Sequence, residues 1–119
     1  KPGSNIRYQI DADNITLDID TAIPLGLITN EIATNAYKYA FIDCTPGLIN
    51  IEFKHLKGHA CLLRISDNGV GLPLNFNPDD SNTLGLKLVK LLSKQIKAKM
   101  DFKSNNGADF QLTFNEQIV

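Results

Sequence analysis

The stretch Leu25–Phe41, LGLITNEIATNAYKYAF, has the spacing of a helix but carries several polar residues among its small and branched apolar ones. Glu31, Asn35 and Lys38 fall at i, i+4 and i+7, so they share one stripe of that helix. An adjacent apolar stripe is expected to face a sheet and consists of Leu25, Ile28, Ile32, Ala36 and Tyr39. The polar stripe therefore borders the predicted core, as it does in a helix that lines a cleft.

Two interpretations of this stripe are open. A carboxylate can orient or deprotonate a nucleophile, an amide oxygen can coordinate a hard cation, and an ammonium can contact a phosphate. Together these groups suit a magnesium-nucleotide. The alternative is a solvated face on which Glu31, Asn35 and Lys38 form a ladder, and this helix alone favours that simpler interpretation.

The segments before this helix alternate apolar and polar residues. NIRYQID and NITLDID, separated by an Asp-Asn turn signal, predict a β-hairpin over residues 5–19. Asp20 or Thr21 is the expected helix cap, with Pro24 in the first turn, where a missing N–H costs nothing. The helix is expected to end near Phe41 or Ile42.

The rest of the chain has the same mixed pattern. LINIEFKHL and ACLLRISD predict two strands joined by a KGH turn, and residues 68–83 predict a long loop. LGLKLVKLLSKQIKAK has helical period, and a strand, an Asn-Asn-Gly turn and a strand follow it. On that helix, the expected apolar face consists of Leu84, Leu88, Leu91 and Leu92.

The order ββ, α, ββ, loop, α, ββ predicts the α+β class. We expect a two-layer α/β sandwich in which helices cover one face of a mixed, mostly antiparallel sheet. At 119 residues the chain fits one domain, 1–119.

Composition narrows the function. The chain is 43% hydrophobic and 21% charged, with a formal net charge of −1, so it predicts a soluble globular domain with no general affinity for nucleic acid or an anionic membrane. Any phosphate binding should therefore be local. No apolar run is long enough to span a bilayer.

The two cysteines, Cys44 and Cys61, lack the spacing of a disulfide framework and predict reduced thiols in the cytoplasm. His55 and His59 flank the predicted KGH turn. With Cys61 nearby, their i, i+4 spacing would suit a zinc site on a helix, but on strands residues with this spacing do not converge. We therefore expect both histidines to be surface turn residues.

Two glycine-containing segments change the interpretation of the polar stripe. SDNGVGLP ends an apolar strand with Asp67, a possible acceptor for an exocyclic amine, and supplies Gly69 and Gly71 for a close backbone approach. NTLGLKLV places Thr83 and Gly85 at a helix start, where free N–H groups bind phosphate. Each segment alone also fits a simpler explanation, an Asp-Asn-Gly turn for the first and an N-cap for the second.

NEIATNAYKYAF, DNGVGLP and TLGLKLVKLLSKQI, in this order, resemble the ATP-binding catalytic domain of sensor histidine kinases, in the GHKL ATPase superfamily. By this resemblance Glu31 is the general base or polarising residue, Asn35 holds Mg²⁺, and Lys38 contacts phosphate. The resemblance makes Asp67 the adenine-reading carboxylate, with Gly69 and Gly71 around the base. It assigns phosphate-binding backbone N–H groups to Thr83, Gly85 and Leu86, and an ATP lid to residues 72–82.

One segment departs from the family pattern. Where the family often has Gly-Thr-x-Phe, this chain reads Gly107-Ala108-Asp109-Phe110, so a hydroxyl contact near the adenine is absent. We expect the change to affect affinity without abolishing binding.

The resemblance implies a function that needs other protein segments. The domain would supply the γ-phosphate of Mg-ATP to a histidine on a separate dimerisation segment of the parent kinase, which passes it to a response regulator. We expect that segment and the sensor region to lie outside this chain, with the domain itself in the cytoplasm, without direct membrane contact, whether or not the parent is anchored. The alternatives are a degenerate GHKL domain that acts as a regulatory interaction module, and a GHKL ATPase or anti-sigma serine kinase.

Overall fold

The structure is a computed structural model that describes residues 6–37, 47–69, 84–104 and 106–116. Within these ranges the elements follow the order β-α-β-β-α-β-β. The strands are β1 (Ile6–Ala12), β2 (Gly47–His55), β3 (Ala60–Asp67), β4 (Lys99–Ser104) and β5 (Ala108–Asn115). The helices are α1 (Ile19–Asn35) and α2 (Leu84–Gln95).

The strands form one sheet in the order β1-β2-β3-β5-β4. β1 pairs with β2 in parallel, whereas the β2–β3, β3–β5 and β4–β5 pairs are antiparallel. The predicted mixed, mostly antiparallel sheet is therefore confirmed. The turn between β2 and β3 uses Gly58 at φ +70°, a left-handed conformation that glycine adopts without strain.

The helices cover one face of this sheet, as predicted for a two-layer α+β fold. Alternate residues of the central strands are buried under them, and hydrophobic residues of both helices complete the core. The fully buried side chains with the largest volumes are Phe110, Ile28, Ile49, Leu112, Val89 and Cys61.

The predicted hairpin over residues 5–19 is wrong. β1 ends at Ala12 and pairs with β2 instead, and residues 13–18 have no regular secondary structure. Ile15 and Leu17 are partly buried and pack against the core, so the alternation that suggested a strand arises from a connection that lies against the core. The segment leaves the sheet after the Asp13 N–H donates to the Phe53 carbonyl at 2.7 Å.

α1 begins earlier than predicted. Its N-cap is Asp18, which makes no side-chain cap hydrogen bond, while the Asp18 carbonyl accepts the Ala22 N–H at 2.9 Å. Pro24 consequently lies in the helix interior, where the lost backbone hydrogen bond is compensated by burial of Pro24 with Leu25. The predicted helix end near Phe41 lies outside the described residues.

The apolar face predicted for α2 is shifted by part of a turn. Leu92 is buried as expected, but Leu88 and Leu91 are exposed. The stripe that enters the core consists of Val89, Leu92, Ser93 and Ile96, with the Ser93 hydroxyl donating to the Val89 carbonyl at 2.7 Å. Leucines lie on both the buried and the exposed side of α2, so their positions did not identify the buried side.

The face of the sheet opposite the helices carries an ion pair. Arg64 on β3 binds Asp109 on β5 through two bonds, from Nε to Oδ1 at 3.0 Å and from Nη2 to Oδ2 at 2.7 Å. Its Nη1 also lies 3.5 Å from Glu52 on β2. The hydrogen bond to Asp109 is the largest cause that raises the pKa of Arg64, so the guanidinium stays charged and joins three strands.

In the part of the chain that the structure describes, no helix is long and apolar enough to cross a membrane.

Candidate functional site

Asp67, the last residue of β3, is held by two backbone hydrogen bonds to the same carboxylate oxygen. The Gly69 N–H donates to Oδ1 at 2.9 Å, and the Ala108 N–H donates to Oδ1 at 3.2 Å. Among the residues described, Oδ2 has no hydrogen-bond partner. The arrangement fixes the carboxylate through one oxygen and leaves the other to accept an N–H from a ligand.

The backbone around Asp67 is fixed by both neighbouring strands. On the β2 side, Asn68 Oδ1 accepts the Leu48 N–H at 2.8 Å, and the Asn68 N–H donates to the Leu48 carbonyl at 3.2 Å. On the β5 side, Gly107 has φ +133° and approaches so closely that a Cβ there would collide with the Asp67 carbonyl oxygen. Only glycine fits this position.

Glu31 and Gly85 come together where α1 packs against the first turn of α2. An added Cβ on Gly85 would collide with Glu31 Oε2 and would lie 2.6 Å from Glu31 Cδ. The Glu31 carboxylate thus lies against the N-terminal turn of α2, where the positive end of the helix dipole favours negative charge. This is the same helix end that the sequence predicts to bind phosphate.

Asn35 ends α1 one turn beyond Glu31, so these two members of the predicted polar stripe lie on one side of the helix. Both side chains are half-buried, and neither has a hydrogen-bond partner among the residues described. Leu86 is partly buried and packs against the core. Lys38, Gly71, Thr83 and the predicted lid over residues 72–82 lie outside the described ranges, and so does Cys44.

Sequence reasoning missed three residues that shape this site. It treated Ala108 as a lost hydroxyl contact, but the backbone N–H of Ala108 binds Asp67 whatever its side chain is. The motif Gly107-Ala108-Asp109-Phe110 marked this strand start, but only the β3–β5 pairing places Gly107 and Ala108 beside Asp67. Asn68 had no distinguishing signal, because an Asp-Asn-Gly run usually indicates a turn.

Residues 20–118 match the model of the histidine kinase-, DNA gyrase B-, and HSP90-like ATPase family. Since the match covers most of its length, the chain belongs to this family.

Curated relatives include blue-light-activated histidine kinase 2 of Erythrobacter litoralis, which is 26% identical over 96 residues, covering 81% of this chain and 28% of that protein. Sensor histidine kinase PdtaS of Mycobacterium tuberculosis is 30% identical over 97 residues, covering 81% of this chain and 19% of that protein. The chain thus spans less than a third of the length of these relatives.

Two solved structures share the fold. The histidine kinase domain of a blue-light activated histidine kinase from Erythrobacter litoralis has a TM-score of 0.88 at 24% identity, covering 95% of this chain and 52% of that one. The mycobacterial sensor histidine kinase MprB has a TM-score of 0.73 at 17% identity, covering 98% of this chain and 86% of that one. The predicted fold and the predicted resemblance to the ATP-binding catalytic domain of sensor histidine kinases are therefore confirmed.

Proposed function

We propose that this domain binds Mg-ATP and supplies its γ-phosphate to a histidine on a separate dimerisation segment of the parent kinase. The observation that carries the proposal is the Asp67 carboxylate, fixed through Oδ1 by two backbone N–H groups. An acceptor held in this way suits the exocyclic amine of adenine and disfavours guanine, which presents a carbonyl at that position. The family membership supports the nucleotide class.

In this proposal the phosphates bind near the first turn of α2, at backbone N–H groups of Gly85, Leu86 and Thr83, with Lys38 as a further contact. Gly69 and Gly71 shape the adenine pocket. The position of the Glu31 carboxylate against Gly85 supports the placement, because a group at that helix end can polarise an incoming nucleophile. The α1 stripe and the α2 start then form the two walls of one cleft.

The donor set also fits magnesium. The half-buried Asn35 offers an amide oxygen and Glu31 a carboxylate, and Mg²⁺ prefers hard oxygen ligands. We assign Asn35 as the Mg²⁺ ligand. The ion would supply charge neutralisation on the phosphates, while Glu31, Asp67 and the backbone N–H groups position the nucleotide.

Asp67→Asn tests the adenine assignment by calorimetric titration with ATP and GTP. The amide NH₂ must face either the Gly69 and Ala108 N–H groups or the adenine amine, so one donor always opposes another donor. ATP affinity should fall by about 10- to 100-fold, which corresponds to a charged hydrogen bond of roughly 1.5–3 kcal/mol. Unchanged ATP affinity in a variant that melts like the wild type would refute the assignment.

Asn35→Ala tests the metal assignment, and Asn30→Ala is its matched control. Asn30 lies on the same helix but is exposed, whereas Asn35 is half-buried. Asn35→Ala should abolish the Mg²⁺-dependent part of ATP binding, measured by titration with and without Mg²⁺. Asn30→Ala should retain that part. Equal losses in both variants would mean that the amide of Asn35 is not the ligand.

The phosphoacceptor is tested with [γ-³²P]ATP and a dimerisation segment taken from the parent kinase. We expect label on the histidine of that segment, a lower transfer rate for Glu31→Gln at unchanged ATP affinity, and onward transfer to a response regulator. Glu31 at the α2 start also suits water activation, which favours an ATPase as the second candidate. Phosphate release without labelled histidine would support hydrolysis. No nucleotide binding would support an interaction module.

A cytoplasmic location is part of the same proposal. The Cys61 thiol is free, as expected in a reducing compartment.

A further inference from the structure

A second cluster of chemically active side chains lies at the opposite end of β3 from Asp67. Ligand atoms of His55, Cys61 and Glu116 all lie within 4.8 Å of one another. Cys61 is the second residue of β3 and Asp67 is its last, so at about 3.3 Å per residue the cluster is about 20 Å from the Asp67 carboxylate. No step of the proposed phosphoryl transfer uses these residues.

Strand register brings the three side chains together. His55 on β2 pairs directly with Cys61 on β3, so both side chains lie on the same sheet face. Cys61 also pairs with Phe114 on β5, and Glu116 follows two residues later on that face. The Glu116 N–H donates to the His59 carbonyl at 2.8 Å, which extends this pairing to the position of Glu116.

The imidazole of His55 is oriented by the segment that follows β1. Its Nε2 lies 3.3 Å from the Asn14 carbonyl, which can only accept, so the tautomer with a proton on Nε2 can donate to it. Its backbone N–H donates to Asp13 Oδ2 at 2.8 Å. A carbonyl on one ring nitrogen is the usual outer contact of a metal-binding histidine, and it directs the other nitrogen, Nδ1, towards the ligand.

Nδ1 of His55 lies 3.3 Å from Glu116 Oε1. A ring that donates from Nε2 to Asn14 directs its Nδ1 lone pair at this carboxylate oxygen. A metal ion between these two atoms would be bound by both of them. The sulfur of Cys61 next to the pair favours a metal, because imidazole, thiolate and carboxylate together are zinc ligands.

We propose that His55, Cys61 and Glu116 form a Zn²⁺ site, with water as the fourth ligand, that ties β2, β3 and the end of β5 together. Tetrahedral zinc places its nitrogen, oxygen and sulfur ligands about 3.3–3.6 Å apart, so the His55–Glu116 distance already fits, and the sulfur needs to approach by roughly 1 Å at most. Cys61 is fully buried, whereas the His55 side chain is 40% exposed and gives the ion an entry path. The site would give His55 a role beyond that of a surface residue beside a turn, while His59 is outside the cluster.

Titration of the 119-residue chain with Co²⁺, followed by displacement with Zn²⁺, tests the site. The chain carries Cys44→Ser, so that Cys61 is its one thiol, and is kept reduced with a phosphine. We expect one equivalent of Co²⁺ to bind with a thiolate-to-cobalt charge-transfer band, Zn²⁺ to remove that band, and Zn²⁺ to raise the melting temperature.

Four variants distinguish Zn²⁺ binding at this site from adventitious metal binding elsewhere on the chain. His55→Gln and Glu116→Gln should each weaken Zn²⁺ binding by about tenfold or more. Cys61→Ser should remove the charge-transfer band. His59→Gln is the matched control and should bind like the parent. Should the buried Cys61→Ser variant fail to fold, the two glutamine variants decide.

Absence of the band at one equivalent of Co²⁺ would overturn the proposal. Equal weakening by His55→Gln and His59→Gln would overturn it as well. Neither result bears on ATP binding, which the Asp67 and Asn35 variants measure separately.

Discussion

Replacing Gly107 by alanine should destabilise the fold much more than the same change at Gly26 or Gly58. Gly26 lies on an exposed part of α1 with nothing within 4 Å of an added Cβ. Gly58 has φ +70° but also open space around it. Gly107 has both a positive φ, +133°, and a Cβ position blocked by the Asp67 carbonyl. Gly26→Ala therefore reports helix propensity alone, Gly58→Ala the cost of a positive φ, and Gly107→Ala that cost together with a collision of the added Cβ.

The expected magnitudes differ in sign as well as in size. Gly26→Ala should stabilise the chain by up to about 1 kcal/mol, since alanine is the better helix former. Gly58→Ala should cost about 1 kcal/mol for the left-handed conformation. Gly107→Ala should cost about 1–3 kcal/mol for its φ and a further 1–3 kcal/mol for overpacking, because a backbone carbonyl cannot move aside as a flexible side chain can.

Urea unfolding followed by circular dichroism measures the free energy of unfolding of all three variants and the wild type. In thermal melts, each kcal/mol of change in that free energy should shift the melting temperature by roughly 4 °C. Gly107→Ala should also weaken ATP binding at permissive temperature, because displacement of the strand start separates the Ala108 N–H from Asp67. A Gly107→Ala variant as stable as Gly58→Ala would refute the close approach between β3 and β5. A loss of stability in Gly26→Ala would show that helix propensity does not decide the effect of an added methyl on α1.

Gly85→Ala should leave stability unchanged or slightly higher but slow phosphoryl transfer, because the added methyl displaces the flexible Glu31 carboxylate rather than backbone. A thermal melt measures the stability and a transfer assay measures the rate. A large loss of stability would contradict this prediction. Arg64→Leu should cost about 2 kcal/mol in thermal unfolding because it leaves the buried Asp109 carboxylate unpaired, and leucine at both positions should recover part of that loss. Lys97→Gly should stabilise the chain by about 0.5–1 kcal/mol in urea unfolding, since Lys97 has φ 56° at the end of α2; a decrease would show that the lysine side chain outweighs its backbone strain.

Local pattern predicted most elements of this fold. Strands β2 to β5 and helix α2 lie in the segments whose periodicity predicts them, although the buried face of α2 is shifted from the predicted one. The predictions failed where the same spacing of apolar residues can arise from two different structures. Ile15 and Leu17 alternate as in a strand but belong to a connection that packs on the core, and pairing of β1 with β2 depends on residues distant in the chain.

The candidate site divides in a similar way. Glu31 and Asn35 are one turn apart on a single helix, so helical geometry alone determined that they share a stripe. The contact of Glu31 with Gly85 joins two helices, and the bond from Ala108 to Asp67 joins two strands. Neither follows from local spacing.

The sequence by itself determined the family, the helix that carries the polar stripe and the residue types available to a magnesium-nucleotide, because periodicity and the ordered motifs are properties of contiguous residues. Tertiary structure alone decided which groups meet. Antiparallel register placed the Ala108 N–H on Asp67 at one end of β3 and brought His55, Cys61 and Glu116 together at the other. These contacts do not follow from local spacing because they depend on how distant strands align. A one-residue change of register turns every side chain of a strand to the other face.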